Sequence, residues 1–464
     1  MKSAHLLNDC PAVAENDFRL KWPRMTSIDH SHDHTLPPAV QAWLAGLATD
    51  IAARKRDHLW RRLPVVGNAV APRMTIDSRS YLQFCTNNYL GLAADERVID
   101  AARTAIGRYG LGAGASRLVA GSMESHHALE AALSAFKQTP ATLLFSSGYT
   151  ANLAVLTTFA GPGDRIVSDK LNHASLLDAA KYSGAEHRVF PHLNYRRAAA
   201  SLAKPGRGKN AIIKADDISE SADSAEASAG GHPDAEAKRF VVTDTVFSMD
   251  GDIADLPALC AAAGNTRTLI VLDEAHATGL LGPDGRGLAA MQQVESQIAA
   301  TVGTLSKALG SVGGFVSGPA EVIETLVQKA RGLIYTTAMP AACSAAAIAA
   351  LNIAKSEPHR RLGVMAAAKR VKSALEMMGY NCGQSCTPII PVILGRAETA
   401  LAAAEWLKTR GIFVPAIRPP TVPPNSARLR ISLMATHTDE DLDQLLRQMK
   451  SMRDEPFLNI VPIL

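Results

Sequence analysis

Aromatic side chains are scarce in this chain, 5% of 464 residues, and cysteines are few, six in all at positions 10, 85, 260, 343, 382 and 386. Spread so thinly, the cysteines do not form the dense framework of a small secreted domain; they fit a reducing compartment, and the Cys382–Cys386 pair reads as incidental. Neither sign of charge is in excess. The 48 basic and 44 acidic residues leave a formal charge of +4, which gives no electrostatic case for nucleic acid or an anionic membrane as partner. A long hydrophobic run is also missing: the longest small-apolar stretch, Ala341 to Ala354, carries Ser344 and Asn352 and is shorter than the roughly 18 residues a span requires, so it reads as a packed helix. The opening run MKSAHLLNDCPAVAENDF breaks its only apolar pair with Asn, Asp and Pro and offers no signal-peptide core, so a cytoplasmic chain is expected. What is there, 47% hydrophobic and 20% charged residues, is the composition of a globular protein with room for one large and one smaller domain. A small-molecule partner fits it best.

Residues 1–38 are polar and turn-rich and read as an extended or disordered leader. Their His-dense patch, Asp29 to His34, has no second Cys/His cluster at ligand spacing and reads as a solvated tail, so no metal is expected. Apolar residues three and four apart from Pro38 to Arg62 predict an amphipathic helix that docks on the body, within an N-terminal arm over 39–90. Residues 91–340 then alternate strand-like and helix-like segments, the rhythm of a mostly parallel sheet covered by helices. The expected strands are 141–147, 165–169, 239–245, 268–274, 298–304 and 313–318, several of them continuous β-branched runs suited to burial on both faces. A run rich in Ala, Ser, Asp and Glu at 203–237 predicts a surface insertion. Beyond Met339, residues 341–464 predict a smaller α/β domain: helices, the strand PIIPVILG, the helix TALAAAEWLKTRG, and a strand pair near GIFVPAI and ARLRISL.

Four segments place polar residues where an open α/β sheet gathers its ligand. In FSSGYTAN, the amides following Ser147 and Gly148 open a helix and suit a phosphate, although such a turn is also an ordinary cap. TLIVLDEAHATGLLG ends an apolar strand on Asp273, with His276 three residues on. A buried acid there requires a cationic or hydrogen-bonding partner, such as the ring nitrogen of pyridoxal phosphate; a metal is the competing reading. TVGTLSKALGSVGGF sets Lys307 after a strand, behind Thr304 and Ser306 and ahead of Gly310, Gly313 and Gly314. A desolvated lysine in that place can form a Schiff base, and the segment is too apolar for a solvated charge run. It is no P-loop, because its glycines follow the lysine. KLNHASLLDAA puts His173 at a strand-to-helix junction, where an imidazole stacks on a flat ring, shuttles a proton or merely caps. Ser248, in VTDTVFSMDGD, follows another strand and is on its own a turn residue.

Together with NNYLGL, GAGASRLVAG, HHALE, VFSMDGDIADL, DEAHATGLLGPDGRG, TLSKALG and IYTTAMP, these segments resemble the α-oxoamine synthases over roughly residues 50 to 450. These are pyridoxal 5'-phosphate enzymes of aminotransferase fold type I. The resemblance implies a large domain built on a mostly parallel seven-stranded sheet flanked by helices, and a small C-terminal α/β domain. It implies that Lys307 carries the cofactor aldehyde and acts as the base, that Asp273 keeps the ring nitrogen protonated, that His276 bonds the ring phenolate, and that His173 stacks on the ring and takes part in catalysis. Gly148 and Tyr149 would lie near the phosphate, with Ser248 and Thr304 completing the contacts. Arg430 would pair with the amino-acid carboxylate, a planar task suited to a guanidinium. Thr421 would line the path of the acyl thioester. The early substrate-binding arginine falls within HLWRRLPV, where Arg61 is put forward. IYTTAMP would serve the neighbouring subunit's phosphate, implying a homodimer. The string AIRPPTVPPNSARLRISL is similar to the biotin-pathway branch of the family and implies L-alanine and a pimeloyl thioester, on CoA or acyl carrier protein, as substrates. The alternatives are a sister condensing enzyme that takes glycine or serine, and a non-catalytic paralogue; the second has no chemical use for Lys307, Asp273 and His276 together.

Overall fold

The computed structural model describes residues 36–203, 237–264 and 267–458. The His-dense patch and nearly all of the expected insertion lie outside the described residues. The described residues through Trp60 and those from Arg61 onward form two compact units. In the first, the helix Pro38–Arg56 begins with proline at a position where no N–H is needed. None of its residues is buried, and Trp43, Leu44, Leu47 and Ile51 are exposed.

In the second unit, β1 (Arg73–Ile76) and β2 (Arg79–Gln83) precede seven strands: β3 (Ala141–Phe145), β4 (Arg165–Asp169), β5 (Glu186–Phe190), β6 (Arg239–Asp244), β7 (Thr268–Asp273), β8 (Ala300–Thr304) and β9 (Gly314–Gly318). They form one sheet in the order β3-β9-β8-β7-β6-β4-β5, in which only β9 runs against its neighbours. The period-2 alternation of side chains sends apolar residues to two cores, one on each face. Val241, Ile270 and Leu272 enter one, whereas Phe240, Val242 and Val271 enter the other.

Six of these strands coincide with the expected ones, trimmed by a residue or two at their ends. β5 was not expected, because Glu186 and Arg188 break its apolar pattern. Both are buried: Glu186 lies opposite Arg165 in the register, accepts from Arg165 Nε at 2.9 Å and from Arg188 Nη2 at 2.7 Å, and so makes an ionic edge inside the protein. Burial also pushes His187 down to about 4, and its ring meets Ser168 Oγ at 2.7 Å.

After Met339, β10 (Ile389–Gly395), β11 (Ile412–Phe413), β12 (Ala416–Ile417) and β13 (Ala427–Ser432) follow. β13 lies between β10 and β12 in an antiparallel sheet, which leaves Pro391 of β10 on an edge, where a missing N–H is tolerated. β11 does not join it. Instead Ile412 and Phe413 pair in parallel with Leu82 and Gln83 of β2, so the arm and the C-terminal region share a sheet.

Candidate active site

The C-terminal ends of β4, β6, β7 and β8 deliver Asp169, Asp244, Asp273 and Thr304, and the turns after β4 and β8 carry His173 and Lys307. Asp244 and Asp273 are direct neighbours in the register. Burial first, then the Asp273 carboxylate beside it, push Asp244 well above the usual carboxylate range. Asp244 Oδ2 accepts the backbone N–H of His173 at 2.5 Å. Asp273 Oδ1 accepts from the amide of Ala275 at 2.8 Å, and its Oδ2 from Asn152 Nδ2 at 2.6 Å.

The Lys307 amine makes no hydrogen bond or ion pair with any described residue, and burial lowers it to about 8, a fall that Asp273 and Asp244 oppose and Arg430 assists. An amine so placed is neutral for part of the physiological range and can attack a carbonyl. His276 is held far below its ordinary value, by burial and then by Lys307, Arg430 and His173, and it stays neutral. Its Nδ1 lies 2.7 Å from the Tyr89 hydroxyl, which also reaches Asn87 Oδ1 at 3.2 Å.

Arg430 is buried, and it donates from Nε to the Ser248 carbonyl at 2.6 Å, from Nη1 to Ser432 Oγ at 2.7 Å and from Nη2 to Asn87 Oδ1 at 3.1 Å. No carboxylate pairs with it among the described residues. A guanidinium has five N–H donors; beyond these three contacts it also meets the Tyr89 hydroxyl, which leaves at least one donor for an anion that the chain does not supply.

The helix Gly148–Phe159 is capped by Ser147, whose Oγ accepts from Thr150 N at 3.1 Å. Its first amides, those of Gly148 and Tyr149, have no acceptor among the described residues and are free for an anion. The approach of neighbouring backbone is why a glycine stands at position 314. A Cβ on Gly314 would fall 2.4 Å from the Ser147 carbonyl and 2.5 Å from Gly148 N, and one on Gly148 would touch Thr304 Cβ at 3.5 Å. Thr304 Oγ1 donates to the Gly313 carbonyl at 2.9 Å and lies 2.8 Å from Ser306 Oγ.

Of the expected site residues, the structure brings together Lys307, Asp273, His173, His276 and Arg430, with Gly148 against Thr304 and Ser248 on Arg430 through its carbonyl. Tyr149 follows the phosphate-type turn, but its hydroxyl turns to Asp178 Oδ2 at 2.5 Å. Arg61 and Thr421 are both exposed and are joined to each other, Nη2 to Oγ1 at 3.3 Å, and neither has a hydrogen bond to Lys307, Asp273, His173, His276 or Arg430. Asn87, Tyr89, Asn152, Ser175 and Asp244 escaped the sequence reading. Asp244, a polar end to an apolar strand beside Asp273, carried the same signal that identified Asp273.

The residues fit pyridoxal phosphate: an unpartnered amine of lowered basicity, a buried carboxylate one strand away, a glycine-lined turn with free amides, and a neutral buried imidazole. The class I and II aminotransferase family matches residues 79–449. The 8-amino-7-oxononanoate synthases of Hahella chejuensis and Stutzerimonas stutzeri are each 43% identical to this chain, over 88% and 87% of it and 96% and 95% of their own lengths. A serine palmitoyltransferase of S. paucimobilis, solved with a bound PLP–myriocin aldimine, superposes with a TM-score of 0.78 at 28% identity, covering 89% of this chain and 98% of that one. The 8-amino-7-oxononanoate synthase of Francisella tularensis does so with a TM-score of 0.65 at 26% identity, covering 80% and 97%. Fold and site together define a pyridoxal-phosphate-dependent transferase of aminotransferase type. Within that class the chain belongs to the 8-amino-7-oxononanoate synthase family.

Because only the neutral amine attacks an aldehyde, capture of pyridoxal phosphate by the cofactor-free chain should speed up as pH rises and level off above about 8. Stopped-flow absorbance across pH 6–10 checks this; a midpoint near that of free lysine would show that the amine is not desolvated.

Proposed function

We propose that this chain condenses L-alanine with a pimeloyl thioester, releasing carbon dioxide and the free thiol and leaving 8-amino-7-oxononanoate, a step of biotin biosynthesis. The observation that carries the reading is the buried Arg430, with an N–H donor to spare and no carboxylate partner among the described residues, on the same site as the unpartnered Lys307 amine. When bound, pyridoxal phosphate supplies an aldehyde that takes up the amino-acid nitrogen and a ring that accepts electrons from its α-carbon. Asp273 holds the ring nitrogen in its protonated form. Arg430 grips the amino-acid carboxylate in a plane and so orients the α-hydrogen. Lys307, once displaced from the aldehyde, takes that proton and returns one after carbon dioxide leaves. His276 donates to the ring oxygen, Gly148, Tyr149, Ser248 and Thr304 flank the cofactor, and Arg61 with Thr421 receives the acyl chain at the exposed lip.

The reading includes a cytoplasmic homodimer: among the described residues no helix is long and apolar enough to cross a membrane, while Leu111, Leu118, Val119, Val312 and Tyr335 present exposed apolar surface for a second copy to cover. It also takes 91–340 as the cofactor-binding domain, carrying the insertion 203–237, and 341–464 as the small domain, with the leader 1–38 and the arm 39–90 ahead of them.

Purified protein with pyridoxal phosphate, pimeloyl-CoA and either alanine, glycine or serine tests the assignment by thiol release and product mass. Turnover with alanine is expected; turnover with glycine or serine in its place would overturn it. Arg430→Lys keeps the charge but not the fork, so KM for alanine should rise about 10- to 100-fold with a smaller change in kcat. Steady-state kinetics with alanine varied checks that split.

A further inference from the structure

His173 caps the helix Ala174–Ser183, and its Nδ1 faces inward. That nitrogen lies 2.7 Å from Ser175 Oγ and accepts the Ser175 backbone N–H at 3.3 Å. Ser175 Oγ in turn lies 2.8 Å from Asn152 Nδ2, which also donates to Asp273 Oδ2 at 2.6 Å.

The directions along this chain of bonds follow from chemistry. Asn152 must turn its nitrogen, not its oxygen, to the Asp273 carboxylate, since two oxygens at that distance would repel. It keeps that orientation although its own Oδ1 is left buried without a partner. Ser175 Oγ therefore receives the second N–H of the amide. Ser175 is wholly buried, so its hydroxyl proton needs an acceptor inside the protein, and His173 Nδ1 is the one within reach. With two N–H or O–H groups aimed at it, Nδ1 cannot carry a proton of its own.

We propose that Asn152 and Ser175 are positioning residues that fix His173 as the neutral tautomer protonated on Nε2, the nitrogen for which no described residue is a partner. Burial lowers the ring's proton affinity, with Lys307 adding to the effect and Asp273 and Asp178 opposing it, which agrees with a neutral ring. At Nε2 the ring donates and does not accept. It is thereby suited to holding an oxygen anion that develops on the acyl carbonyl, and it leaves proton removal to Lys307. This use rests on the reading of the site given above, whereas the tautomer itself does not.

The experiment is a long-range proton–nitrogen correlation spectrum of the full chain with ¹⁵N-labelled histidine, without and with pyridoxal phosphate, and with His173 assigned through His173→Gln. The expected result is an unprotonated, hydrogen-bonded Nδ1 and a protonated Nε2 in the wild type. Ser175→Ala should mix in the other tautomer and lower kcat about tenfold with little change in KM for alanine, and Ser175→Thr, which keeps the hydroxyl, should restore both. A wild-type spectrum with the proton on Nδ1 overturns the proposal without need of a variant, and so does a Ser175→Ala protein with an unchanged tautomer. If the tautomer is as stated but alanine and pimeloyl-CoA are not turned over, the proposal stands and the substrate assignment falls.

Discussion

Lys307→Ala should cut kcat/KM by about four orders of magnitude, because in the proposed reaction one side chain holds the cofactor aldehyde and moves the proton at the amino-acid α-carbon. The loss should be chemical, not structural. The Lys307 side chain has no hydrogen bond or ion pair to break among the described residues, and its one backbone bond, from Gly310 N, survives the substitution, so the variant should fold and melt close to the wild type. Borohydride treatment in the presence of pyridoxal phosphate should fix the cofactor to the wild-type chain and add its mass, but leave Lys307→Ala unmodified. Residual turnover within tenfold of wild type would mean that another group removes the proton. Modification of the variant at a second lysine would show that the aldehyde is not specific for this position.

Asp273→Asn should lower kcat by about two to three orders of magnitude by removing the anion proposed to keep the ring nitrogen protonated and so the ring electron-accepting. A neutral amide of the same shape also offers one oxygen to the two donors, Asn152 Nδ2 and Ala275 N, that Asp273 now satisfies. An independent sign accompanies the rate. Asp273 raises the proton affinity of Lys307, so its loss lets burial act with less opposition and the amine falls further below about 8. The pH midpoint for capturing pyridoxal phosphate should therefore move down in Asp273→Asn. An unmoved midpoint together with lost turnover would indicate a misplaced cofactor and not an electrostatic role.

How far the sequence revealed this site depends on what each residue had to say locally. Lys307, Asp273 and His173 were legible because each interrupts or follows an apolar strand, where a polar group is costly unless it has work to do. Gly148 was legible from a turn into a helix. Asn152 and Ser175 were not, since a polar residue inside an otherwise small-apolar helix looks like any surface position until the fold turns it inward. β5 was hidden for the complementary reason: its charges are buried, but they meet a partner on β4 that no local pattern announces.

The pairing of β2 with β11 sets an order of assembly. Leu82 leaves the ribosome long before Ile412, its partner in the register, and at ordinary synthesis rates the interval is tens of seconds. Throughout that time the strand is an open edge beside apolar residues such as Leu82 and Phe84, which end wholly buried. The seven-stranded sheet, with all its strands between Ala141 and Gly318, can close earlier. Newly made chains should thus pass through a state in which Asp273 and Lys307 are in place while the arm still waits, and truncations that remove the C-terminal region should be prone to self-association through the unpaired arm.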